Sequence, residues 1–341
     1  MTQTLLEKSM GGIMLWLRKN LFSSPFTSFV TLISVLLIYL IFSPLMIFVF
    51  VDANWNIISD NLHLFLLGSF PENEVWRVLV NLVLLLLMIA VTIGKGKQIK
   101  TSRLAMGWLV YFVIAMVVLG GFKGSTILPE VTSDLWGGLL LTVLVTVVGM
   151  FVSFPLGILL ALGRSSRLPI IRYFCIGFIE TMRGVPLITF LFIGQILFPL
   201  FLPPQWVIGN LMRVMIAVVL FSAAYMAEYI RGGLQSIPIG QKEAAVALGL
   251  NPFQVTFYIT LPQALKAVLP AIVGQCIAMF KDTSLVAIVG LIDLTGAGRA
   301  ATGQPEFIGL EAEVYLTIAL IYWIFCFSMS KYSKRIEKKF G

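Results

Sequence analysis

The chain alternates between long apolar runs and short polar breaks, and the runs set its architecture. An unbroken stretch of about 17–25 apolar residues is what a helix needs to cross the hydrocarbon of a bilayer. Eight such stretches occur, near residues 27–51, 76–93, 104–122, 135–163, 170–200, 206–230, 265–291 and 314–330. Ten-residue segments of alternating polarity, the pattern of an outer-membrane barrel, do not occur in the sequence. The predicted fold is therefore all-α, a polytopic membrane protein of about eight transmembrane helices. The fourth and fifth runs exceed the thickness of a bilayer, so they tilt, bend at Pro155 or Pro186, or project from the membrane.

The polar breaks sort by charge. One alternate set holds Lys8, Arg18 and Lys19; Lys95, Lys97, Lys100 and Arg103; Arg164, Arg167 and Arg172; Arg231, Lys242 and Lys266; and Lys331, Lys334, Arg335, Lys338 and Lys339. The other set holds only Lys123 and Arg299, with Arg77 at a margin. It carries most of the acids: Asp52, Asp60, Glu72, Glu74, Glu130, Asp134, Asp293, Glu306, Glu311 and Glu313. The positive-inside rule then places both termini in the cytoplasm, and an even number of spans agrees. The first apolar run is too long for the core of a cleaved signal peptide. Ahead of it, Leu5, Leu6, Ile13, Met14 and Leu17 with Lys8, Arg18 and Lys19 fit either a short interfacial helix or a frayed tail.

Composition agrees with the runs. Of 341 residues 59% are hydrophobic and 12% charged, against about 25% charged in a soluble domain. The net charge of +8 follows from the loop asymmetry, so no nucleic acid is expected as a partner. Cys175, Cys276 and Cys326 all fall in apolar runs, which argues against a disulfide framework or a metal site. His63 reads as solvated in an outer loop, and Trp136, Trp206 and Trp323 read as interfacial anchors.

Intramembrane charge is unevenly distributed. The first three runs carry almost none, whereas the last five hold Glu180, Arg183, Arg213, Glu228, Lys281 and Asp282. The chain thus divides into an N-terminal extension of three helices, residues 1–130, and a five-helix core, residues 131–335, in which function should reside. No strong internal repeat supports a transporter built from two related halves.

One polar break is elaborate: GQKEAAVALGLNPFQVTFYITLPQALK, residues 240–266. Ser236 ahead of Pro238 predicts a helix start. Residues 240–248 favour helix, and Gly249 suits a left-handed cap. Asn251 caps a second helix with Pro252 at its first position, and Leu261-Pro262 is expected to close the unit before the next span. Ala244, Ala245 and Ala247 predict a smooth face open to close approach, with Gln241, Lys242 and Glu243 as its polar rim.

Glu243-Ala244-Ala245, then Gly249, then Ile259-Thr260-Leu261-Pro262, with three and nine residues between, resembles the signature loop of permease subunits of ABC importers. IETMRGVPLITFLF (residues 179–192) and KDTSLVAIVGLIDLTGAG (residues 281–298) resemble stretches of the polar amino acid subfamily. The likeness runs from about Leu135 to the C-terminus, and with the three added helices the chain resembles a permease of a general L-amino-acid uptake system. The resemblance implies that the loop, residues 236–262, holds a coupling helix that docks on a separate ATPase subunit, with Glu243, Ala244, Ala245, Gly249, Ile259, Leu261 and Pro262 as its coupling residues. It implies ABC ATPase subunits that bind the ATP and Mg, leaving no cofactor in this chain. It also implies a second permease subunit, identical or related, and an extracytoplasmic amino-acid-binding protein, which the outer segments 52–75 and 292–312 would meet. The setting is the inner (plasma) membrane of a bacterium.

The residues exclude several alternatives. A phosphate-cradling loop needs the G-x-x-x-x-G-K-[ST] spacing, which GKGKQIKT at 94–101 lacks. No catalytic carboxylate pair, nucleophile elbow or H-E-x-x-H metal site occurs, so the chain is not expected to be an enzyme. The substrate-path candidates are Glu180, Arg183, Lys281, Asp282, Thr283 and Ser284, because ionisable groups inside a membrane are costly. Glu180 and Arg183 share a helical face and either neutralise one another or serve the substrate. Lys281 and Asp282 point to different sides of their helix. Half-helix termini near residues 184–186 or 282–284 could offer backbone groups to a zwitterion. Arg213 pairs across spans or reaches the outer interface, and Glu228 pairs with Arg231. The same charges would suit an ion-coupled secondary amino acid transporter or channel without an ATPase.

Overall fold

A computed structural model describes residues 15–95, 98–203 and 205–340. Leu5, Leu6, Lys8, Ile13, Met14 and Lys97 lie outside the described residues; Leu17, Arg18 and Lys19 fall in a helical stretch. Among the described residues the secondary structure is helical, with isolated bridges and no strand. Among the described residues seven helices are long and apolar enough to cross a membrane, or eight if a pair bent by 107° is counted as one broken span.

The chain divides between Trp55 and Asn56. The first unit is built on α1 (Pro25–Ile47). Ser24 caps it reciprocally with Thr27, and Pro25 occupies the first turn, where no backbone donor is needed. No residue of α1 is buried, as expected of a helix solvated by lipid.

The second unit contains the remaining long helices: α2 (Val75–Lys95), α3 (Thr101–Gly120), α4 (Gly138–Arg164), α5 (Pro169–Gly184), the short α6 (Leu187–Phe192), α7 (Asn210–Ser236), α8 (Ile239–Ala247), α9 (Leu261–Asp282), α10 (Leu294–Thr302) and α11 (Glu311–Phe340). Its centre is α4 packed on α7 and α7 on α9, with Leu141, Val145, Val214, Val218, Met279 and Val286 in the core. Without a hydrophobic driving force in lipid, close packing holds such helices, and small residues permit it. At Gly157 an added Cβ would stand 2.5 Å from Met226 Cβ and 3.2 Å from the Ala223 carbonyl oxygen, so α4 and α7 meet nearly backbone to backbone.

The segment after Asn56 belongs to this unit. Ile57 and Phe65 pack with Leu294, Ala297, Phe307 and Val314, and Gln304 donates to Asn61 at 2.7 Å. Residues 56–70 are thus continuous in packing with the helices that follow, within the unit that begins at Asn56.

Several residues read as solvated or interfacial are buried or half-buried. His63 donates through Nε2 to the Phe70 carbonyl at 2.7 Å, because the turn after its helix folds back over it. Trp136 is buried in the main core, whereas Trp206 and Trp323 are exposed. Arg77 is fully buried, bonded to Glu74 at 2.8 Å and the Pro129 carbonyl at 3.0 Å. Asp293 is fully buried as the cap of α10. Burial pushes its carboxyl up, against the backbone donors of Gly296 and Thr295 and the hydroxyl of Tyr322, which act to lower it.

Candidate functional site

The helix-turn-helix forms as an exposed unit at the arginine-rich end of the bundle. α8 starts after Pro238, not at Ser236: that serine is the last residue of α7, its hydroxyl donating to the Gly233 carbonyl at 2.8 Å. At the C-terminus of α8, Gly249 N–H donates to Val246 and Leu250 N–H to Ala245, a paired closure that requires the left-handed φ of +79° at Gly249. Asn251 and Gln254 then cap one another reciprocally, at 2.9 Å each way.

Two expectations for the loop need correction. Leu261-Pro262 does not close it; a π-helical turn over Val255–Thr260 runs directly into α9, giving one apolar helical span from Pro252 to Val289. Leu261 N–H reaches back to Thr256, and Pro262 lies in the first turn of α9, where its missing donor costs nothing. Nor do the three alanines share one free face. Ala245 is buried, while Ala244 and Ala247 are exposed beside Val246 and Leu248, which are 62% and 82% exposed. Ala245 and Leu261 therefore seat the loop on the bundle, Leu261 packing with Ala161, Ile179, Ala227 and Ile230. Glu243, Gly249 and Pro262 face outward, Ile259 is half-buried, and Glu243 makes no ion pair among the described residues.

A charged cluster stands at the same end. Glu228 on α7 is its hub, reached by Arg164 at 2.8 Å, Arg231 at 2.9 Å and Arg183 at 3.3 Å. Arg164 also binds Glu180 at 2.9 Å. Glu180 and Arg183 do not pair with one another; each reaches across to a neighbouring helix end, so the cluster ties α4, α5 and α7 together. The Glu228–Arg231 pair forms as the sequence implied. Arg213 lies toward the opposite end, where it donates to the Gln195 carbonyl at 2.8 Å and to the Asn210 amide oxygen, and it meets no carboxylate among the described residues.

The remaining candidates sit deeper. Asp282 and Thr283 line a cavity of about 10 Å³ together with Ser222, Phe221, Leu187 and Val145. That volume holds about one water, so the space is closed to an amino acid in this conformation. Lys281, one residue away, is exposed and faces elsewhere. Ser284 bonds its own helix at Lys281. The chain does not break at 282–284; α9 tightens into 3₁₀ geometry over Thr283–Val289. It does break at Val185 and Pro186, both extended, where α5 turns into α6. Proline at 186 excludes the helical region for Val185 and removes a donor.

Two short hydrogen-bonded sets reach this cavity, one at Ser222 and one at Thr283, and a search for charges misses their neutral members. Tyr229 donates to Gln275 at 3.4 Å, and Gln275 to Ser222 at 3.2 Å. Across the cavity, Thr283 Oγ1 lies 3.3 Å from the Tyr322 hydroxyl, which donates to Asp293 at 3.4 Å. The available sequence signal is a seven-residue spacing, Ser222 to Tyr229 and Gln275 to Asp282, which returns each pair to one helical face after two turns.

Comparison with known proteins fits this geometry. Residues 153–341 match the family described as binding-protein-dependent transport system inner membrane component. The chain is 41% identical, over 96% of its length and 93% of the relative, to the inner membrane amino-acid ABC transporter permease protein YhdY of Escherichia coli K12. It is 35% identical, over 96% of its length and 94% of the relative, to the glutamate/glutamine/aspartate/asparagine transport system permease protein BztC of Rhodobacter capsulatus. Among solved structures, 59% of the chain superposes on 92% of a chain from an amino acid ABC transporter crystallised with histidines, at 30% identity and a TM-score of 0.53. The chain belongs to the binding-protein-dependent transport system inner membrane component family.

Proposed function

We propose that the chain is the transmembrane permease subunit of an ATP-driven ABC importer for polar L-amino acids, in the inner (plasma) membrane with both termini cytoplasmic. Residues 131–335 act as the transport core, and the three preceding helices elaborate it. The observation that carries this reading is the exposed α8–Gly249–Asn251 unit, an apolar and small-residue surface capped at both turns at the arginine-rich end of the bundle. ABC ATPase subunits, which bind ATP and Mg, dock there; this chain holds no cofactor. A second permease subunit and an extracytoplasmic amino-acid-binding protein complete the assembly.

Closing of the ATPase pair moves the docked loops and rocks the spans between inward-open and outward-open states, which requires that nucleotide interact differently with the two. Because the half of the loop that follows the Gly249 turn and the Asn251 cap runs into α9 as one helical span, Pro252–Val289, displacement of that half is delivered along the span toward Asp282 and Thr283. Asp282 takes the substrate ammonium when the cavity widens, and Thr283 and Ser222 supply neutral polar contacts. The charged cluster around Glu228 holds the cytoplasmic ends of α4, α5 and α7 together.

Purification of the tagged chain with its co-expressed ATPase tests the reading. The complex should hydrolyse ATP faster when loaded binding protein is added, and Glu243→Lys or Gly249→Val should lower that stimulation at least ten-fold with the spans still folded. Stimulation indifferent to both substitutions would refute the docking role.

A further inference from the structure

We infer that the arginine-lined groove between the α4–α5 turn and the end of α7 binds the phosphate headgroup of an anionic phospholipid. The groove has a volume of about 460 Å³ and is lined by Arg164, Ser165, Ser166, Arg172, Arg231 and Gln235. Its charge is not balanced internally. Two of its three arginines, Arg164 and Arg231, pair with Glu180 and Glu228, and Glu228 is shared with Arg183 from outside the lining; with Arg172, four positive charges stand near two negative, an excess of two. Arg172 is exposed and makes no ion pair among the described residues.

The chemistry is that of phosphate recognition. Guanidinium groups present planar forks of donors that match phosphate oxygens, and the serine hydroxyls add short neutral donors. A free anion would be served by the polar lining alone. What selects a lipid is the surface beside it. Ile170, Tyr173 and Phe174, on the same first turns of α5 as Arg172, are 86%, 70% and 69% exposed. Ile176 continues that apolar surface into the groove wall. A headgroup in the groove would thus lay its acyl chains along α5, where an isolated phosphate would leave the apolar strip uncovered. The inference rests on the proposed orientation only in assigning the cytoplasmic leaflet. Its ligand would clamp the end of α5 next to the Glu228 cluster, and the occupied groove would stiffen the part of the bundle nearest the docking loop.

The test uses the full-length chain with its co-purifying subunits in nanodiscs of equal parts phosphatidylcholine and phosphatidylglycerol, with retained lipid counted by native mass spectrometry after detergent extraction. Phosphatidylglycerol should be enriched about five-fold over phosphatidylcholine, the effect of one basic side chain on an anionic headgroup. Arg172→Gln should abolish the enrichment and Arg172→Lys restore most of it. Arg167→Gln, on an exposed turn residue outside the groove, should leave it intact. Equal retention of the two lipids, enrichment that survives Arg172→Gln, or equal loss with Arg167→Gln would overturn the proposal. Displacement of the retained lipid by millimolar inorganic phosphate would overturn the lipid assignment, identifying the groove as a site for free phosphate.

Discussion

Two regions of the bundle use acidic residues in opposite ways. Glu228 is surrounded by three guanidinium groups from three helix ends, whereas Asp282 meets no cation in its cavity and has a serine, a threonine and apolar side chains for neighbours. The comparison teaches that charge at membrane depth is not by itself a marker of substrate. A carboxylate fully engaged by arginines is structural, because losing one partner strands the others. On the proposed function, a carboxylate beside a cavity, with its one sequence neighbour of opposite charge exposed, is the one offered to a ligand.

The strongest way to break this comparison is at the hub. Glu228→Gln leaves Arg164, Arg183 and Arg231 without their shared acceptor and should cost about 3–5 kcal/mol, read as a large drop in the melting temperature of the purified complex. A melting temperature like that of the wild type would remove the structural role. Asp282→Asn should do the reverse, lowering kcat/KM for uptake about 100-fold, within the range for losing one member of a buried charge pair, with melting unchanged. Gly249→Val tests the loop between the two regions. Forcing a β-branched residue into the left-handed region should cost about 1–2 kcal/mol, seen as weakened retention of the ATPase on an affinity column. The smallest effect belongs to Glu180→Gln. Its carboxylate is 56% exposed and holds only Arg164, so the loss should not exceed about 1 kcal/mol. A Glu180 effect as large as that of Glu228 would erase the distinction between hub and rim.

Much of this architecture is legible in the sequence because each legible feature has a local cause. Apolar length predicts the crossings, Pro186 predicts the break between α5 and α6, and Gly249 and Asn251 predict the turn and cap of the loop from backbone preference alone. What escapes is set by contacts between distant parts of the chain. Leu261-Pro262 reads as a stop, yet a π-helical turn carries the helix through it. Ala245 and Ala247 are alike as residues, and only the packing of the loop on the bundle separates the buried one from the exposed one. His63, Trp136 and Asp293 look peripheral until residues 56–70 fold against α4 and α10. The charged candidates were visible singly, but their partners were not: Glu180 and Arg183 lie one turn apart and bond elsewhere. The neutral residues Ser222, Tyr229, Gln275 and Tyr322 carry no charge to attract notice, and they come from three helices.

The most direct test of the division between the two acidic residues is uptake of radiolabelled L-amino acids by proteoliposomes that contain the complete complex, internal ATP and external binding protein. Wild type and Asp282→Asn would be compared in preparations whose melting temperatures are measured in parallel. The account predicts ATP-dependent uptake in the wild type that collapses in the variant while melting stays the same. Undiminished uptake by Asp282→Asn, or uptake in the wild type that runs on an ion gradient without ATP, would contradict it.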